Sequence, residues 1–240
     1  MQYLEKIKPS YFDLLYPLRK WKILNVRALK EEAEYHGSFS GFYKIISKLE
    51  KNLLVDSFIN SWSNEKFIYL LPDGIKALGE NELSLNINRE LRFHDSIVSK
   101  VARDFKSYPH IEEVYLDFQT RQEFPLLERV PDCLVTGNLR NPFSMAIEVE
   151  LTQKSQDRVK KILKTYSDSK VVNQVLYITD KKTILEAYKK YLFELGSVVL
   201  KEKFLFLYTK DLAKGKADLL NSPVHFKNHV TSLSELFKMT

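Results

Sequence analysis

"PDCLVTGNLRNPFSMAIEVELTQKSQDRVKKIL", Pro131 to Leu163, sets three carboxylates and a lysine among two apolar strand patterns and ends in a basic helical one. On a strand alternate side chains share a face, so Glu148 and Glu150 point the same way while Ala146, Ile147, Val149 and Leu151 supply apolar context. Two carboxylates on one face of a buried strand are costly unless compensated. Asp132, on the neighbouring strand, adds a third, and like charges packed together raise their pKa values unless a cation binds. A divalent metal that prefers oxygen ligands, Mg²⁺ or Mn²⁺, is the expected compensation. Lys154, just beyond the strand end, is close enough to bring a positive charge to the same place. Such a set suits phosphodiester hydrolysis: the metal polarises the phosphate and activates water, and the lysine stabilises the developing charge. An isolated strand glutamate is more often an edge charge or a salt-bridge partner, so it is the set and its spacing that point to chemistry.

Working outward, "PDCLVTG" and "FSMAIEVEL" are separated by "NLRNP", which has turn chemistry, so consecutive antiparallel strands are expected. Before them stand a helical pattern over "RELRFHDSIVSKVARDFKS", with Leu91, Ile97, Val98 and Val101 inward, and a strand-like "EEVYLDF". After them come a helix from Ser155 to about Ser167, the apolar strand "NQVLYIT", the helix "KKTILEAYKKYLFEL" and the strand "KFLFLYT". Helix, three strands, helix, strand is a coherent α/β (α+β) core. Between Lys154 and Lys170 six basic residues face two acidic ones. Val159, Ile162, Leu163 and Tyr166 form the buried side of that helix, which leaves Arg158, Lys160, Lys161 and Lys164 to track a DNA backbone or to be a solvated face.

The N-terminal third is close to charge balance and holds three helical patterns. "PSYFDLLYPLRKW" is expected to be one helix capped by Ser10, and "NVRALKEEAEYHG" one capped by Asn25 and ended by Gly37. "SFSGFYKIISKLEKNLL" turns Phe42, Ile45, Ile46 and Leu49 inward, which leaves Tyr43, Lys44, Ser47, Lys48 and Lys51 outward as a basic stripe. "LLVDSFIN" and "KFIYLLP" read as two strands joined by "SWSNE", and "LPDGIKALGE" as a further helix. This is the winged helix-turn-helix order. In such modules the third helix lies in the DNA major groove, with lysines on phosphates and the polar residues between them near base edges. The polar stretch "GENELSLNINRE" places a boundary near residue 86, giving 1–86 as a winged-helix DNA-binding domain and 87–240 as a nuclease-like domain.

The chain has 240 residues, 44% of them hydrophobic, enough for one large or two small cores. No run of about 18 apolar residues exists and the N-terminus is charged where a signal peptide needs an apolar region, which predicts a soluble protein without a membrane partner. Cys133 is the single cysteine, which fits a reducing cytoplasm and excludes an internal disulfide. A net charge of +6 leans towards a polyanionic partner. The five histidines are scattered and none of the seven glycines falls at phosphate-loop spacing. Tyr166, Tyr177 and Tyr191 fall in apolar or amphipathic patterns and read as packing residues.

"PD" at 131–132, "EVE" at 148–150 and Lys154 resemble the PD-(D/E)xK restriction-endonuclease-like superfamily, whose core order is similar to that read above. The usual last motif would put a lysine where this chain has Glu150. With the winged helix, "FHD" at 93–95 and "EVELTQKS" before a basic helix, the chain resembles the replication-relaxation family of plasmid proteins, which includes the MOBC relaxases of mobilisable plasmids. That resemblance implies a metal-dependent endonuclease nicking double-stranded origin-of-transfer DNA, with an accessory mobilisation protein as a further partner. Asp132, Glu148 and Glu150 would hold Mg²⁺ or Mn²⁺, with Lys154 assisting. Tyr43, Lys44, Ser47, Lys48, Lys51, Arg158 and Lys161 would contact DNA, and His94 and Asp95 lie on the helix that in such folds often brings an acidic residue towards the site. Two alternatives stand beside this expectation: a non-catalytic DNA-binding protein for plasmid replication or transcription control on a retained nuclease scaffold, and an adaptor that docks proteins on its winged helix.

Overall fold

The computed structural model describes residues 8–79, 87–196, 202–227 and 229–238. It is mixed α and β and divides into two compact units, 1–99 and 100–240. The boundary expected near residue 86 lies outside the described residues. No described helix is long and apolar enough to cross a membrane.

In the first unit a short 3-10 helix, Pro9–Leu14, precedes α1 (Tyr16–Trp21), β1 (Ile23–Asn25), α2 (Val26–Glu32), α3 (Phe39–Lys51), β2 (Val55–Ile59), β3 (Lys66–Leu70) and α4 (Pro72–Ala77). The single helix expected over Pro9 to Trp21 is thus two elements, and Ser10 caps neither. Pro17, in the first turn of α1, has no N–H with which to continue a helix begun upstream, so a new one starts there. Asn25 caps α2 as expected, its side chain accepting from the Ala28 amide at 2.7 Å. The helix ends at Glu32, five residues before Gly37. Its stop is a Schellman closure in which Glu34 (φ 49°) takes the left-handed position, the Tyr35 amide donating to Lys30 O and the Glu34 amide to Glu31 O, each at 3.0 Å.

Strand β1, too short to show alternation in the sequence, pairs antiparallel with β3, and β3 with β2, in the order β1-β3-β2. Phe42, Ile46 and Leu49 of α3 are buried, Ile45 is half-buried, and Tyr43, Lys44, Lys48 and Lys51 are exposed.

The second unit is built on a seven-stranded sheet. The division between the units falls inside α5 (Arg92–Lys106), where Ile97, Val98 and Val101 are buried as expected; Leu91 is 52% exposed and precedes the helix. There follow β4 (Ile111–Leu116), α6 (Asp117–Glu123), β5 (Cys133–Asn138), β6 (Pro142–Glu150), α7 (Gln156–Asp168), β7 (Gln174–Thr179), α8 (Lys182–Glu194), β8 (Phe204–Tyr208), β9 (Val224–Phe226), β10 (His229–Thr231) and α9 (Leu233–Lys238). The sheet order is β10-β9-β8-β7-β6-β5-β4. Strands β4, β5 and β6 form an antiparallel meander, and β6, β7 and β8 run parallel, each step made by a crossover helix, α7 then α8. Helix α6 and the β9–β10 hairpin are elements the sequence reading did not contain.

Both crossover helices cover one sheet face. Val159, Ile162, Leu163 and Tyr166 of α7 and Ile184, Leu185, Tyr188 and Leu192 of α8 pack on Leu134, Ala146, Val175, Tyr177, Phe204 and Phe206. The register makes these rows: Leu134 faces Ala146, then Val175, then Phe204, and one step on Glu148 faces Tyr177, then Phe206. Each fully buried aliphatic or aromatic side chain contributes about 1.5–3 kcal/mol, so this layer dominates the unit's stability. Gly137 lets β5 pass the preceding chain closely, because a Cβ there would lie 2.2 Å from His110 O.

Candidate functional site

Glu148 and Glu150 are each only 2% exposed, on the sheet face that α7 and α8 cover. Apolar neighbours on β6 make the strand, and the period of two carries both carboxylates inward. Continuing the β5–β6 register one step beyond Cys133 and Ile147 sets Asp132 opposite Glu148. Asp132 Oδ2 accepts the Val149 amide at 2.7 Å, which ties the start of β5 to β6. Three of the residues singled out in the sequence are therefore brought to one end of the sheet, where the parallel strands terminate.

The compensating charges come from the protein. Arg129 Nε donates to Glu148 Oε1 and Nη2 to Oε2, both at 2.9 Å, a two-point ion pair. The Tyr166 hydroxyl donates to Glu148 Oε1, and the Arg129 guanidinium lies 5.6 Å from the Tyr166 ring centroid. Burial and the charge of Asp132 push the Glu148 carboxyl above its ordinary range, against the pull of Arg129 and Tyr166. The Arg129 guanidinium, which burial alone would make easier to deprotonate, is held well above its ordinary pKa by Glu148. Lys154, just beyond the strand end, pairs with Glu150. Tyr188 hydrogen-bonds Glu150 and accepts from the Lys154 amide at 3.4 Å; burial, then Glu150, raise the pKa of this hydroxyl.

Arg129, Tyr166 and Tyr188 are the members of this centre that sequence reasoning missed. Arg129 stands two residues before Pro131, and its charge next to "PD" was the available signal. Tyr166 and Tyr188 occupy core positions of their helices and only the fold shows their hydroxyls reaching carboxylates. Tyr177 is buried and Tyr191 half-buried in the core, and Tyr166, expected only to pack, is buried there too while its hydroxyl serves Glu148. The Tyr177 hydroxyl is buried beside Glu148 in the register and has no hydrogen-bond partner among the described residues.

As placed, these carboxylates are paired with the protein's own cations. Both Glu148 oxygens are engaged by Arg129, Glu150 is engaged by Lys154, and among the described residues no three His, Cys, Asp or Glu side chains gather as a metal-binding group. Asp95 is placed in the first unit, where it pairs with Lys22 Nζ at 3.0 Å and lies 3.7 Å from His94 Nδ1. Burial would raise its pKa, but His94 and Lys22 outweigh burial and hold it below the ordinary range.

Of the expected DNA contacts, Tyr43, Lys44, Lys48 and Lys51 lie exposed along α3 with Ser47 half-buried between them, and Arg158 and Lys161 are exposed on α7. No protein-family model, curated protein or solved structure matches this chain.

Proposed function

We propose that this chain is a sequence-specific DNA-binding protein of plasmid replication or transcription control, carrying a restriction-endonuclease-like unit whose carboxylates are balanced by its own cations. The observation that carries the reading is α3. Its inner face is buried and its outer face presents Lys44, Lys48 and Lys51 around Tyr43 and Ser47, and it stands before a β2–β3 hairpin whose second strand is joined to β1. Helix, strand, helix, helix, strand, strand in that pairing supports a winged helix, in which such a helix enters the major groove. The second unit's order α5-β4-α6-β5-β6-α7-β7, with β7 parallel to β6, supports the restriction-endonuclease-like reading, the short helix α6 being an addition between the first two strands. The test is equilibrium binding of DNA duplexes selected from a random pool. The native chain enriches one sequence and Lys44→Ala/Lys48→Ala does not; failure of the native chain to retain any duplex contradicts the reading.

A second reading, metal-dependent nicking of origin-of-transfer DNA by a relaxase-like enzyme working with an accessory mobilisation protein, is favoured by one relationship: Asp132 across from Glu148, with Glu150 and Lys154 beyond them on the same strand end. It requires Arg129 to leave Glu148. Supercoiled plasmid carrying a transfer region, incubated with Mg²⁺ or Mn²⁺, distinguishes the two. Open circles formed by the native chain and not by Glu148→Ala establish nicking, and unchanged plasmid supports the DNA-binding reading.

A further inference from the structure

Helix α7, helix α6 and the segment leading into β5 enclose an open cleft of about 590 Å³. Four cationic side chains line it: Arg121 from α6, Arg129 from the segment, and Arg158 and Lys161 from α7; Glu128 is its one carboxylate and Thr165 adds a hydroxyl. Arg158, Lys161 and Thr165 recur at helical spacing, so a single face of α7 forms one wall. Among the described residues Arg121, Arg158 and Lys161 have no ion-pair partner. Their neighbour Lys160, by contrast, is neutralised by Glu194 at 2.7 Å. Arg129, which also lines the cleft, spends two of its five N–H groups on Glu148 and keeps three further donors.

We infer that this cleft binds the sugar-phosphate backbone of DNA, as a second contact separate from α3. A wall of three arginines and a lysine from three different segments offers several charges spread along a groove, which suits a ligand with repeated anionic groups better than a single small anion. Guanidinium groups match phosphate oxygens by two-point hydrogen bonding, and three of the four cations are arginine. The cleft opens beside the carboxylate centre with Arg129 as the shared wall, so a phosphate held there lies one guanidinium away from Glu148.

This inference rests on the DNA-binding reading, and its test separates the two. The full chain, Arg121→Gln/Arg158→Gln/Lys161→Gln and Lys44→Ala/Lys48→Ala are compared in binding a long duplex over a range of salt concentrations. Each phosphate contact contributes about 0.9 to the slope of log affinity against log salt, so the triple variant should lose about 2 to 3 from that slope. In parallel, limited acetylation followed by mass spectrometry reads individual lysines in the native chain: DNA should protect Lys161 several-fold while Lys214 stays as reactive as before. If the triple variant binds with the native slope and Lys161 is not protected while Lys44→Ala/Lys48→Ala still weakens binding, the cleft inference is overturned and the DNA-binding reading survives. If the native chain binds an acidic protein but no DNA at either surface, both are overturned.

Discussion

Arg129 and Glu148 face each other through two parallel hydrogen bonds of 2.9 Å, one to each carboxylate oxygen, beneath a helix that leaves Glu148 2% exposed. The pair joins the segment before β5 to the C-terminal end of β6. It also decides how the buried charges of β6 are tolerated.

Removing one partner of such a pair leaves an uncompensated buried charge. Arg129→Met should cost about 3–5 kcal/mol in urea denaturation, whereas Arg129→Met combined with Glu148→Met should cost clearly less than the sum of the two single changes. Simple additivity would show that the two side chains do not depend on each other.

The same engagement predicts the response to metal. Mg²⁺ or Mn²⁺ at millimolar concentration should leave the melting temperature of the native chain where it is, because ligand binding stabilises only through sites available in the folded state. A metal-dependent rise that vanishes in Glu148→Gln would mean that Arg129 yields the carboxylate to a cation.

Asp95 gives a pH dependence with a defined sign. His94 and Lys22, outweighing burial, hold its folded pKa below the ordinary value of 3.8. A carboxyl lowered in the folded state contributes stability that is fully present above its unfolded pKa and is lost as pH falls through the folded one. Asp95→Asn should therefore be less stable than the native chain at neutral pH, by a margin that shrinks at acid pH as the native carboxyl is protonated. A difference of the same size at neutral and acid pH would contradict the pairing.

Gly137→Ala tests the sheet. The added methyl would meet His110 O, which also accepts the Asn138 amide at 3.0 Å, so β4 and β5 would have to part there. A loss of about 1–3 kcal/mol is expected from the overpacking. Native stability in that variant would show that the two segments are not held so closely.

The sequence revealed most of what is periodic. The strand alternation over Phe143 to Leu151 and the apolar stripe of α7 both led to the observed elements, and Asn25 was recognisable as a cap because its amide partner is local. Elements of no more than two periods showed no readable pattern: β1 spans three residues, and the seven-residue α6 begins at Asp117, within the last two residues of a stretch that reads as strand. The end of α2 was misplaced because Glu34 adopts a conformation usually left to glycine. At the site, the need for compensation was legible from Glu148, Glu150 and Asp132 alone. Its source was not, since Arg129 reaches Glu148 from 19 residues away and only sheet pairing brings them together.

Whether α3 binds DNA is decided by the salt dependence of duplex binding by the full chain. Log affinity should fall linearly with log salt, with a slope reduced by about 2 in Lys44→Ala/Lys48→Ala as two phosphate contacts are removed. Binding that is absent at low salt, or that ignores salt and both lysines, would contradict DNA binding by α3.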